Sequence, residues 1–233
     1  MVNRLTKLIG GKIMLFKETV EKDTLSILDT LQKDENLSNF YLVGGTALAL
    51  ILGHRKSIDL DMFSPKPFDT EQLLKYLSEK YEFVRLSPFA KLSKVILQGE
   101  IKNVKTDWVV NPYPLVENPE TIEGIRLYSL KDITAMKLTA IVDSGKRLKD
   151  FVDVAYLSTI MSFNEMLNAY EKKYNVEKER ARLGLTYFSD IDFSTKIDLI
   201  DAIFCFEPIN ERLHDMKRYP NKVFTDFPLK KNH

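Results

Sequence analysis

Residues 40–45 read FYLVGG, a short run of β formers stopped by two adjacent glycines, and the apolar stretch TALALIL, residues 46–52, follows at once. A strand that turns through Gly44-Gly45 straight into a helix apolar on every side can bury that helix only between other layers. SIDLDMF, residues 57–63, alternates and is rich in β formers, so it reads as the neighbouring strand, ended by Pro65 and Pro67. A chain of 233 residues with 44% hydrophobic positions can supply the core this arrangement needs.

The pattern around this unit divides in two. Leu15, Val20, Leu25, Leu28 and Leu31 predict a first amphipathic helix over 14–36, and Leu73, Leu74 and Leu77 predict another over 69–81. Four β runs follow, EFVRL, KLSKVILQ, IKNVKTDWVV and GIRLYS, with Gly99-Glu100 expected as a hairpin loop. Ser129 and Asp132 form a capping pair that opens a helix through Val142, closed at Ser144-Gly145. Helices are expected over 149–158, 162–174, 176–185 and 194–204, and an irregular tail after them. A mixed α/β domain over 14–128 therefore precedes a helical domain over 129–233, and with no flexible linker the two should pack together around a binding seam.

Composition excludes several functions. Thirty-four Lys plus Arg against 33 Asp plus Glu leave a charge of +1, so no global field draws the chain onto a polyanion; such a ligand must meet a local site. Cys205 is the single cysteine, and His54, His214 and His233 are scattered, which argues against disulfides and zinc. The longest apolar stretch, Ala47–Leu52, is too short to span a bilayer, and Arg and Lys interrupt the amino terminus. A cytoplasmic protein without a membrane partner is expected.

Asp59 and Asp61 stand at i and i+2 on a predicted strand, so both carboxylates leave the same face. Such a pair raises its own pKa unless a cation lies between, and hard oxygen donors at that spacing suit Mg²⁺ or Mn²⁺; one exposed Asp and one capping the turn before Pro65 is the plainer alternative. Asp107 is the only acid in the apolar strand VKTDWVV, either a satisfied core carboxylate or a third ligand. Gly44, Gly45 and Thr46 open a helix whose first N–H groups are free to hold phosphate, unless the glycines serve only a tight turn. Lys137 shares a helix face with Ile133 and Ile141, so its ammonium either snorkels outward or faces an anion in a cleft; opposite Gly44-Gly45, triphosphate is the favoured anion. Arg55 either reaches a phosphate or holds its loop, and Asp150 and Asp153 lie beside Lys146, Arg147 and Lys149, where an ion-pair network is the simplest reading.

The string VGG, a spacer, DLDM and a later strand Asp resembles the nucleotidyltransferase superfamily that includes DNA polymerase β. GGTALALILGHRKSIDLDMF and MKLTAIVDSGKRLKDFVDVA look like the AbiEii/AbiGii-type nucleotidyltransferase toxins, over roughly residues 40–160. Thr46 departs from the Ser that many relatives carry. The resemblance implies an α+β fold, a polymerase β-like mixed sheet with flanking helices followed by a C-terminal helical bundle. It implies two-metal transfer of a nucleoside monophosphate from an NTP to a hydroxyl. Asp59, Asp61 and Asp107 would be catalytic metal ligands, Lys137 and Asp150 would join the active site, and Gly45 and Thr46 would hold the phosphates, with Asp153 supporting. It further implies a toxin of a toxin–antitoxin or phage-defence pair, with tRNA or another RNA as acceptor and a cognate antitoxin as partner. Basic clusters at Lys172-Lys173, Lys178/Arg180/Arg182 and Lys217-Arg218 could line an RNA groove. An aminoglycoside-like acceptor and a catalytically silent binding module are the alternatives on the same fold.

Overall fold

The computed structural model describes residues 7–9 and 12–229. A hairpin of β1 (Lys7–Ile9) and β2 (Lys12–Met14) stands apart from a seven-stranded mixed sheet. That sheet comprises β3 (Tyr41–Val43), β4 (Leu60–Ser64), β5 (Val84–Arg85), β6 (Ile96–Ile101), β7 (Val104–Val110), β8 (Glu120–Ile122) and β9 (Ile125–Leu127), in the order β5-β6-β7-β4-β3-β9-β8. Between and after the strands come α1 (Lys22–Gln32), α2 (Gly44–Leu52), α3 (Thr70–Tyr81), α4 (Leu130–Asp143), α5 (Leu148–Leu157), α6 (Phe163–Tyr174), α7 (Glu179–Gly184) and α8 (Phe206–Arg218). None of them is long and apolar enough to cross a membrane.

The all-apolar α2 is buried from Gly45 to Leu52, against β3 and β4 on one side and α4 and α5 on the other. It therefore joins the sheet to the later helices. β4 alternates as read, with Leu60 and Met62 fully buried, and beside it Trp108 of β7 packs edge-on against Phe40. β4 runs antiparallel to β3 and parallel to β7, which brings the end of β3 and the starts of β4 and β7 to one edge of the sheet.

The capping pair at Ser129 does more than start α4. The Ser129 hydroxyl accepts the Asp132 N–H, and the Asp132 carboxylate accepts the backbone N–H groups of Val116 and Glu117. Lys173 closes this cluster with a buried ion pair to Asp132 at 2.7 Å, so Lys173, expected on an RNA groove, is instead a core cation. Both side chains are fully buried, and among the described residues Asp132 is its one charge partner.

Four other expectations are corrected. The first helix is shorter than 14–36, because a 3-10 turn at Lys17–Thr19 and an extended Val20 precede α1. Gly99-Glu100 lies within β6, and the hairpin turns at Lys102-Asn103, both at positive φ. Gly99 is required there because a Cβ would meet the Phe83 ring at 2.3 Å. Residues 194–204 are not helical: Ile197 and Leu199 are buried while Lys196 and Asp198 are exposed, a two-residue period that suits extended chain. The tail expected to be irregular holds α8, in which Ile209, Leu213 and Met216 make one buried face. Pro208 sits in its first turn, where the missing N–H costs no intrahelical bond.

Candidate active site

At the shared sheet edge Val43 pairs with Asp61, and Asp61 pairs with Asp107. Two carboxylates thus occupy neighbouring positions on parallel strands, and Asp59 lies two residues before Asp61 at the mouth. The two glycines are needed for different reasons. Gly44 has φ of 71° and sits so close to Asp61 that a Cβ would lie 2.1 Å from its Oδ2. A Cβ on Gly45 would lie 2.6 Å from Nη2 of Arg55. The turn therefore presses bare backbone against one carboxylate and one guanidinium.

Thr46 is buried, with its Oγ1 2.9 Å from Ser57 Oγ and donating to the Asp59 carbonyl. Expected on a phosphate, the hydroxyl instead braces the segment that carries Asp59. What remains for a ligand is the amino end of α2, whose first N–H groups lack intrahelical acceptors.

Beneath the edge lies a buried ionic cluster. Asp153 accepts Arg55 through Nε at 2.7 Å and Nη2 at 2.9 Å, and pairs with Lys137 at 2.8 Å. His54 Nε2 lies 2.8 Å from the same carboxylate. Lys137 also reaches Asp150 at 2.7 Å. Burial opposes ionisation of Asp153, but Arg55 and then Lys137 hold it well below the usual carboxylate range. Burial also opposes the charge on Lys137, and Asp153 and Asp150 raise its pKa above the ordinary lysine value. Burial drives His54 downward despite Asp153, so it is a neutral imidazole offering Nε2–H to the carboxylate. Lys137, expected to face a triphosphate, is thus enclosed by Asp150 and Asp153, and its charge acts on the edge from beneath. Burial, Asp107 and Asp59 raise the Asp61 pKa, while Lys137 and Arg147 oppose them.

Above the cluster opens a cleft of about 790 Å³ whose walls include Gly45, Arg55, Asp59, Asp61, Lys105 and Lys149. Its far wall is the extended segment over 194–204, where the sequence predicts a helix. Lys56 N–H donates to the Asp198 carbonyl, Ile200 N–H to the His54 carbonyl and Asp192 N–H to the Lys146 carbonyl, which places Thr195 and Lys196 on the cleft. The sequence reading did not single out Lys105, Thr195 or Lys196. Lys105 was detectable, since it stands two residues before Asp107 and so shares its strand face. The segment carrying Thr195 and Lys196 has no such local signal.

A mixed sheet with a Gly-Gly turn at one edge and acids on the two adjoining strands defines a nucleotidyltransferase fold. MenT4, a nucleotidyltransferase toxin from Mycobacterium tuberculosis H37Rv, matches with a TM-score of 0.56 over 86% of this chain and 85% of that one, at 12% identity. JHP933 from Helicobacter pylori matches at 0.51 over 87% and 93%, at 19% identity. At these identities the likeness is one of fold. In sequence, the uncharacterized protein aq_aa25 of Aquifex aeolicus (strain VF5) is 35% identical over 160 residues, 66% of this chain and 75% of that one. The profile of the nucleotidyl transferase AbiEii toxin family of type IV toxin–antitoxin systems matches residues 26–215. The chain belongs to the AbiEii family.

Gly44 provides a direct test of the edge geometry. Gly44→Ala should lower nucleotide transfer by about 100-fold or more, because Asp61 or the turn must move. It should also cost about 1–2 kcal/mol of stability for an L-residue at that φ. Gly124→Ala is the control for strain alone, at φ of 84° with nothing within 4 Å of the added Cβ. Comparable melting shifts with transfer lost only in Gly44→Ala would establish the contact; equal transfer in both variants would refute it.

Proposed function

We propose that this protein transfers a nucleoside monophosphate from an NTP to an acceptor hydroxyl: the hydroxyl gives its proton to solvent, its oxygen bonds to the α-phosphorus, and the bond from that phosphorus to the α,β-bridging oxygen breaks so that pyrophosphate leaves. The observation that carries this reading is the meeting of Asp61 and Asp107 in register at the edge where Gly44-Gly45 opens α2. Asp107 Oδ1 is buried without a donor, and burial and neighbouring acids push Asp61 toward its neutral form. A divalent cation between them would favour the ionised form of both, and ionised carboxylate oxygens are hard donors that fit Mg²⁺ or Mn²⁺. Among the described residues no three His, Cys, Asp or Glu side chains form a ready metal cage. Mg²⁺ needs no such cage, being commonly held by one or two carboxylates with substrate phosphates completing the set. Asp61 and Asp107 would hold the ion together with the substrate's phosphates, with Asp59 nearby at the mouth rather than in a three-carboxylate cage; when bound, the ion would neutralise charge on the attacking and leaving oxygens.

The chain's own groups do the rest. Asp153 holds the Nε–Nη2 edge of the Arg55 guanidinium and the Lys56 carbonyl accepts from Nη1, so Arg55 is a fixed positive charge beside Gly45 that would favour a phosphate there. Lys137 and Asp150 complete the support under Asp61. Basic side chains outnumber acids around the cleft, among them Lys146, Arg147, Lys149 and Lys196. This rim favours an anionic acceptor, tRNA or another RNA, over a cationic aminoglycoside. Membership in a toxin family supports a growth-inhibiting role in the cytoplasm, in phage defence, with a cognate antitoxin as partner.

The test incubates the protein with each α-labelled NTP, Mg²⁺ or Mn²⁺ and total tRNA. Label should pass to RNA from at least one NTP. Transfer to an aminoglycoside alone would replace the RNA assignment, and no transfer to any hydroxyl would overturn the enzymatic reading.

A further inference from the structure

Lys105 and Asp107 leave the same face of β7, and Lys105 Nζ lies 3.2 Å from Asp107 Oδ2. That oxygen also accepts from Gln98 Nε2 at 3.0 Å, while buried Oδ1 meets no hydrogen-bond partner among the described residues. Other basic groups at the edge are tied down: Arg55 grips Asp153 at two points, and Lys137 is buried between two acids. Lys105 differs, with 42% of its side chain exposed in the cleft wall against 11% for Asp107. Its ammonium faces Asp107 directly, with Asp59 and Asp61 in the wall of the same cleft. The other sizeable cavity, about 500 Å³ between α1 and α3, offers nothing similar, since its buried acid, Asp34, is already met by Tyr76, Lys80 and Tyr81.

We propose that Lys105 is an exchangeable counter-ion: it rests on Asp107 when no divalent cation is present and yields that carboxylate to the cation in order to bind the nucleotide's phosphates. The proposal rests on the metal-dependent reading above. An ammonium and a divalent ion compete for the same oxygens, and the ion carries twice the charge. The displaced ammonium stays on a flexible four-carbon stem in a cleft that also contains Arg55 and Lys149. A triphosphate is the polyanion that such a cleft would take, and Lys105 would move toward it as charge arrives.

The experiment measures Mn²⁺ binding to the nucleotide-free protein by electron paramagnetic resonance, for the parent, Lys105→Met and Lys105→Arg. A second titration measures a non-hydrolysable NTP analogue at saturating Mn²⁺. Lys105→Met should bind Mn²⁺ about tenfold tighter and the analogue about tenfold weaker, the half-exposed site reducing both effects. Lys105→Arg should stay near the parent in both titrations, and circular dichroism checks that each variant is folded. Loss of any cation beside Asp107 would tighten Mn²⁺, so the discriminating result is the paired one, tighter metal together with weaker analogue. Unchanged or weaker Mn²⁺ binding by Lys105→Met, with the parent binding normally, overturns the proposal and leaves the metal reading standing. Unchanged analogue affinity overturns it as well. Absence of Mn²⁺ binding by parent and variant alike overturns both.

Discussion

Asp61→Asn is expected to lower nucleotide transfer by at least about 10³-fold while making the metal-free protein melt at a higher temperature. Both effects arise from the crowding of acids at one edge. Asp61 is paired in register with Asp107, stands two residues from Asp59 and presses on the backbone of Gly44. Burial and these acids raise its pKa, so keeping it ionised at neutral pH costs folding free energy. An isosteric amide removes that cost and should stabilise by about 1 kcal/mol, as neutralised active-site groups often do. The same change removes a charged oxygen donor from the proposed metal set. Melts in EDTA and transfer assays on one preparation test both halves. A variant that is less stable and still active would show that Asp61 is an ordinary structural acid.

Asp153→Ala should have the opposite character, a collapse of stability that takes activity with it. It leaves Arg55, Lys137 and His54 crowded in a buried space where, among the described residues, Asp150 is the one acid still in direct contact with them. Removing one partner of a buried ion pair typically costs about 3–5 kcal/mol. For a chain of this size that is a fall in Tm on the order of 10 °C. The pH dependence identifies the group. The folded-state pKa of Asp153 is depressed well below 3.8, so its contribution is complete above the unfolded carboxylate range and is lost only as pH falls through the lower folded value. The Tm difference between parent and variant should stay level from about pH 8 to pH 5 and shrink only below about pH 4. A difference that closed near pH 6 would assign the effect to His54 instead.

The edge chemistry was legible because it is local. Two glycines ending a β run, an Asp-x-Asp on the next strand and a lone acid in an apolar strand carry their geometry in their own spacing. The division of labour beneath them was not. Asp153 is a hub because His54 and Arg55 arrive from the end of α2, and no periodicity within α5 reports that meeting. Lys173 looked like surface charge for the same reason, since its partner Asp132 belongs to a helix begun much earlier in the chain. In the late segments two weak signals misled. STKIDLIDAIF was read at a helical period although Ile197 and Leu199 alternate with polar neighbours, and the prolines were read as breakers although Pro208 occupies a permissive first turn.

The pairing of residues 54–56 with 198–200 also sets a schedule for synthesis. A ribosome that has delivered β4 and β7 has already made all three acids of the edge, yet the wall carrying Thr195 and Lys196 is still untranslated. Contacts so distant in sequence close late. A nascent chain halted before residue 192 therefore has the acids and the Gly-Gly turn but an open-sided cleft, and cutting the finished chain between α7 and α8 would unlatch the same wall. For a protein of a toxin family, this order of assembly leaves the cleft unfinished until residues 192–200 have been made.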